Sequence, residues 1–234
     1  MVAFSVAAAA AAPGLALLSY VYLKDRYEAE PIAMVARLFL FGLLSVFPVM
    51  LLQRGLGLWL GAAQAEHPLV FAFAVSAGLE EAAKWAIVAA AAFRHAEFDE
   101  PYDGIVYASS VSLGFATMEN LIFAFSEPYS WSALLLRALL PVSGHALFGI
   151  VMGYYFGIAK FSKTERAKYI AYAILFPVFY HGLYDALLTT PGGGWLWLMI
   201  PFMVFLWMRG LWKIRRANHR SPLRMIRREE EFKM

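Results

Sequence analysis

Residues 76–90 read SAGLEEAAKWAIVAA, and they lie inside an apolar stretch, Leu69 to Phe93, long enough to cross a bilayer. Glu80 and Glu81 stand side by side near its middle, and Lys84 is the only other charge before Arg94. A carboxylate at that depth costs on the order of 2.5–3.5 kcal/mol on insertion scales. Two in succession are tolerated only if they face a polar interior, take up protons or bind something. The stretch therefore decides the class: an all-α, polytopic membrane protein with about seven transmembrane helices arranged around a polar centre.

The rest of the chain agrees. Its 234 residues are 61% hydrophobic and 16% charged, against about 45–50% and about 25% in soluble domains. The absence of cysteine excludes disulfides and thiolate metal sites. The N-terminal run MVAFSVAAAAAAPGLALLSYVYL lacks a basic leader, and its apolar character continues to Leu23, so it reads as a retained span. Spans are expected at 3–23, 32–52, 69–93, 105–125, 133–158, 169–189 and 195–212, separated by polar or Gly/Pro-containing breaks. The second break leaves room for a short interfacial helix around Leu56–Leu60. No internal repeat and no separate soluble domain is visible. The division is a membrane domain over 1–212 and a basic cytoplasmic tail over 213–234.

Charge sets the orientation. Loops 24–31, 94–104 and 159–168, with the chain from Arg209 onward, share one side of a seven-span chain and hold 16 of the 20 Lys and Arg, whereas the other side has only Arg54. The positive-inside rule then puts the C-terminus in the cytoplasm and the N-terminus outside. The basic tail beside a final span marks a flank near anionic lipid rather than a nucleic-acid site.

Threading the spans through that orientation brings further polar groups to similar depth in the middle and outer membrane: Glu119, His145, His181 and Asp185. His181 and Asp185 are i,i+4 neighbours on one helical face, as are Glu80 and Lys84, so Lys84 can neutralise one carboxylate while the other stays free. Two imidazoles and a carboxylate form a common catalytic zinc set, and a further carboxylate can then act as general base. On this reading Glu119, His145 and His181 are the candidate ligands of a Zn2+ ion. Glu80 or Glu81 is the base, its neighbour pairs with Lys84, and Asp185 orients an imidazole. A metal-free Glu–His mechanism stays open. So does a structural reading, in which Glu80–Lys84 is an ion pair, Glu119 caps a neighbouring helix through Asn120 and Arg137 snorkels or pairs with an acid. The same intramembrane acids would serve a proton- or cation-coupled transporter. Trp131, Trp195, Trp197 and Tyr129 read as interfacial belt. Asp99, Glu100 and Asp103, in DEPYDG, read either as calcium ligands or as a cap to the fourth helix, which explains them as well.

Taken in order, DRYEAEP at 25–31, E-E-x-x-K at Glu80–Lys84, DEPYDGIVYASSVSLGFATMEN, P-V-S-G-H at 141–145 and HGLYD at 181–185 resemble the PrsW family of membrane-embedded proteases. That family is similar to the type II CAAX prenyl endopeptidases, whose pattern is a Glu pair, F-x-x-x-H and H-x-x-x-N/D. Phe115-x-x-x-Glu119 departs from it by carrying Glu in place of His, and His145 is positioned to supply the missing imidazole. The resemblance implies an intramembrane peptidase of a bacterial or archaeal plasma membrane, whose partner is a single-span substrate, such as a membrane-anchored anti-sigma factor cut on its extracytoplasmic side.

Overall fold

The computed structural model describes residues 2–61, 67–126, 130–190 and 194–224. Among them, seven helices run in chain order: α1 Val2–Leu23, α2 Ile32–Leu60, α3 over 68–91, α4 Asp103–Ser126, α5 Trp131–Phe161, α6 Arg166–Leu188 and α7 Trp195–His219. The expected helices are all present, with two corrections of extent. The Leu56–Leu60 segment is no separate interfacial helix but the last turn and a half of α2. Gly55 and Gly57 lower helix stability by about 1 kcal/mol each without ending it. The stop comes at Gly61, whose φ of 52° suits glycine and whose N–H reaches the Gly57 carbonyl at 3.0 Å. At the other end α7 continues past 212 to His219, because Lys213 is buried with its ammonium over the rings of Tyr154 and Tyr155 at 4.1 and 4.0 Å. Tyr129 and the tail beyond residue 224 lie outside the described residues.

Five helices, α1, α2, α5, α6 and α7, have the length and hydropathy to cross a membrane. All seven expected helices are present, and five of them meet that measure of length and composition; α3 and α4 do not, because α3 carries Glu80, Glu81 and Lys84 and α4 is rich in Ser, Gly and Thr. Both can be polar because neighbours enclose them. Helix α4 is the central post, with α1, α2 and α5 packed around it, and every residue from Asp103 to Thr117 is buried. Ser110 bonds the Val106 carbonyl and Ser112 the His145 carbonyl, both at 2.7 Å, while Ser109 Oγ is buried without a hydrogen-bond partner. Close approach needs glycine: a Cβ at Gly114 would collide with the Phe39 carbonyl, and one at Gly153 with Gly104. Helix α6 packs on α5 and on the first half of α3, while α7 covers α5.

Candidate active site

Two helices that carry site residues are irregular just before them. In α3, residues Phe71–Ala77 form π-helical turns that give way to regular α-helix at Gly78, two residues before Glu80. In α5, Ala138–Val142 are π-helical around Pro141, whose missing N–H cannot continue the ladder, and His145 comes within the next turn. Such turns insert a residue and rotate the helix beyond them, and they recur at functional sites.

The polar residues expected at mid-membrane depth converge. Glu80, Glu81, His145 and His181 are all buried, and one donor atom of each lies within 4.8 Å of the others. Lys84, fully buried, sits at their base: its ammonium lies 2.8 Å from Glu81 Oε1 and 3.5 Å from Glu80 Oε2, over the face of Phe115. The i,i+4 spacing foresaw Glu80–Lys84, but the shorter contact is the i,i+3 pair with Glu81. Lys84 also reaches His145 Nδ1 at 2.9 Å.

These contacts fix the faces of both imidazoles. An ammonium only donates, so His145 accepts at Nδ1, carries its proton at Nε2, and donates it to Glu119 Oε2 at 2.9 Å. His181 donates from Nδ1 to Glu81 Oε1, also at 2.9 Å, which leaves the Nε2 lone pair free. That is the pattern in which a carboxylate orients a metal-binding histidine from behind. The His181 ring is held by stacking on Phe148, with centroids 5.0 Å apart and planes 18° apart.

Both Nε2 atoms face Glu80. Its Oε1 accepts from Gln53 Nε2 at 3.1 Å. Its Oε2 is buried without a hydrogen-bond partner, 4.0 Å from His145 Nε2 and 3.9 Å from His181 Nε2. Asp185 places Oδ1 3.7 Å from His181 Nε2, while its Oδ2 accepts from Ser76 Oγ at 2.6 Å. A cavity of about 230 Å³ joins Glu80, Glu119, His145, His181 and Asp185. Glu119 thus meets His145 but stands outside the tightest group. Asn120 bonds the Ala10 carbonyl and Arg137 rather than serving Glu119. Arg137 lines the cavity, bonded to Asn120 and lying over Phe123, and forms no ion pair among the described residues.

Gln53 and Ser76 were missed from the sequence. Ser76 stands one turn before Glu80, and Gln53 is the first amide after the apolar run of α2; both are weak signals. A nitrogen-and-oxygen donor set with an orphaned carboxylate oxygen fits a metal such as zinc.

A sequence profile described as PrsW family intramembrane metalloprotease matches residues 30–208. The chain is 49% identical over 215 residues to Protease PrsW of Geobacillus kaustophilus (strain HTA426), covering 92% of this chain and 93% of that one. It is 45% identical over 220 residues to Protease PrsW of Bacillus subtilis (strain 168), covering 92% and 96%. Against Protease PrsW of Clostridioides difficile (strain 630) the identity is 34% over 203 residues, with 84% of each chain covered. No solved structure matches.

Proposed function

We propose that this chain, which belongs to the PrsW family of intramembrane metalloproteases, cuts a single-span membrane protein in the outer part of the bilayer, with Glu80 as general base. The carrying observation is Glu80 Oε2: buried, without a hydrogen-bond partner, 3.5 Å from the Lys84 ammonium and about equidistant from two imidazole nitrogens in a cavity. Gln53 holds the other oxygen, so the free one is aimed. From there Glu80 takes the proton of the attacking water and returns it to the leaving amine. Glu81 is the orienting partner: it holds Lys84 and fixes the His181 tautomer. Asp185 flanks the His181 Nε2 face.

His181, His145 and Glu119 would hold the metal, which we take to be zinc. Bound there, it would polarise the scissile carbonyl and acidify water. His181 fits as it stands. His145 fits once Lys84 releases its Nδ1, because a neutral imidazole cannot both ligate through Nε2 and accept a hydrogen bond at Nδ1.

The substrate class, a membrane-anchored regulatory protein such as an anti-sigma factor, rests on family resemblance. The orientation, N-terminus outside and C-terminus cytoplasmic, rests on charge asymmetry, and on that orientation residues 220–234 form a basic cytoplasmic tail. Transport, the other use of intramembrane acids, is not carried forward for a chain of a protease family.

The test is cleavage of a co-expressed single-span protein by the parent and by Glu80→Gln, with metal content measured on detergent-purified parent and His181→Ala. Cleavage lost in the first variant and about one zinc lost in the second is the expected pair. Undiminished cleavage by Glu80→Gln would remove it as the base.

A further inference from the structure

At the end of the bundle away from the active site, a second group of carboxylates converges. Asp25 and Glu30 come from the α1–α2 connection, Glu100 from the α3–α4 connection and Asp103 from the first residue of α4. Asp103 precedes Glu119 by sixteen residues of one helix, about 24 Å at 1.5 Å per residue. One oxygen each of Asp25, Glu100 and Asp103 lies within 4.8 Å of the others. Glu100 and Asp103 have no exposed surface, and Glu30 is buried.

Hydrogen bonds account for only part of this group. Asp103 Oδ2 accepts from the backbone N–H of Asp99 at 2.8 Å and of Glu100 at 2.7 Å. Asp25 Oδ1 accepts from the Tyr27 N–H at 3.4 Å, and Glu30 Oε2 from the Tyr107 hydroxyl. Left over are Asp25 Oδ2, Asp103 Oδ1 and both oxygens of Glu100, all buried and unpartnered. The Ser221 hydroxyl and the Glu28 backbone N–H are near Glu100 but outside hydrogen-bonding geometry. Among the described residues, no Lys, Arg or His nitrogen comes within 4.0 Å of these acids. The cap reading of DEPYDG explains Asp103 Oδ2 and nothing else. Asp99 stands outside the group, and Asp25, from a distant loop, completes it.

A buried carboxylate with neither donor nor counter-ion is costly enough to neutralise itself or capture a cation. Burial already raises Asp25 and Glu30 to about 7. We propose that Asp25, Glu100 and Asp103 bind a hard divalent cation, Mg2+ or Ca2+, which staples the α1–α2 connection to the start of α4. The donors are all oxygen, as these ions prefer, so the site is chemically distinct from the Glu/His centre.

The test is thermal unfolding of the detergent-solubilised full chain at constant zinc, with MgCl2 or CaCl2 titrated at matched ionic strength. A cation at about 100 times its Kd is expected to raise the parent's Tm by about 5–10 °C. Glu100→Gln is expected to lose that increment while starting from an equal or higher cation-free Tm, since it removes an uncompensated buried charge. Asp25→Asn, on a half-buried loop residue, provides the same reading if the first variant does not fold. His181→Ala is expected to keep the increment. No rise in the parent overturns the proposal, as does an equal rise in Glu100→Gln or Asp25→Asn, or a rise lost only in His181→Ala. A response to one ion alone identifies it.

Discussion

Two adjacent glutamates have different surroundings, and the proposed division of roles follows from their neighbours. Glu81 is enclosed, with Lys84 at 2.8 Å and His181 at 2.9 Å; Glu80 lines the cavity, and its Oε2 has no hydrogen-bond partner and only the longer 3.5 Å ion pair with Lys84. Glu80→Gln is therefore expected to cut proteolysis by at least about 100-fold with little change in unfolding temperature. Glu81→Gln breaks a buried ion pair and is expected to lose up to about 3–5 kcal/mol of stability, with activity falling through the misplaced His181. Parallel cleavage assays and thermal melts separate the two, and equal destabilisation by both would remove the distinction. For the metal, a strong chelator should stop cleavage and added zinc restore it; turnover that survives chelation, in protein stripped of metal by assay, would leave a Glu–His mechanism. The sequence made the pair conspicuous through its cost in a membrane. It could not separate the members, because neighbours on a helix point about 100° apart and the rotation of α3 is not written in the local sequence.

That rotation is set at the scale of the element. The π-helical turns at Phe71–Ala77 carry one residue more than a regular helix needs, so they decide which face of α3 the Glu80–Lys84 segment presents. Phe73, within them, lies where any side chain at position 182 would be, so Gly182 beside His181 is the space that lets α3 and α6 meet. Deleting Ala74 should let α3 revert to a continuous α-helix and turn the glutamates by about 100°. We expect cleavage to be lost while far-ultraviolet circular dichroism keeps its helical amplitude; a deletion variant that still cleaves would mean the π turns do not position the base. Pro141 accompanies the corresponding irregularity in α5, where its missing N–H interrupts the ladder, although Pro13, Pro48, Pro177 and Pro201 stand inside helices without such a turn. Nothing comparable in FAFAVSA marks the one in α3, which arises from its packing on α6.

For the whole molecule, the bundle is built around a helix that by composition alone would not cross a membrane. Helix α4 is enclosed by α1, α2 and α5, so its serines and glycines serve close packing and short hydrogen bonds instead of contact with lipid. Sidedness belongs to this scale. In the cysteine-free chain, Ser162→Cys, between α5 and α6, should label with an impermeant thiol reagent only after the membrane is opened. Thr190→Cys, after α6, should label in intact cells, and the reverse pattern would invert the orientation. By itself the sequence determined the class, the helices to within a few residues at most ends, and the cast of intramembrane acids and imidazoles. Each of these comes from local cost: apolar length, breaks, and charge where charge is expensive. Only the tertiary structure decided which oxygen is free, which nitrogen of each imidazole faces the cavity, and that Asp25 joins Glu100 and Asp103. Those depend on the rotation and contact of elements far apart in the chain, which no local free energy encodes.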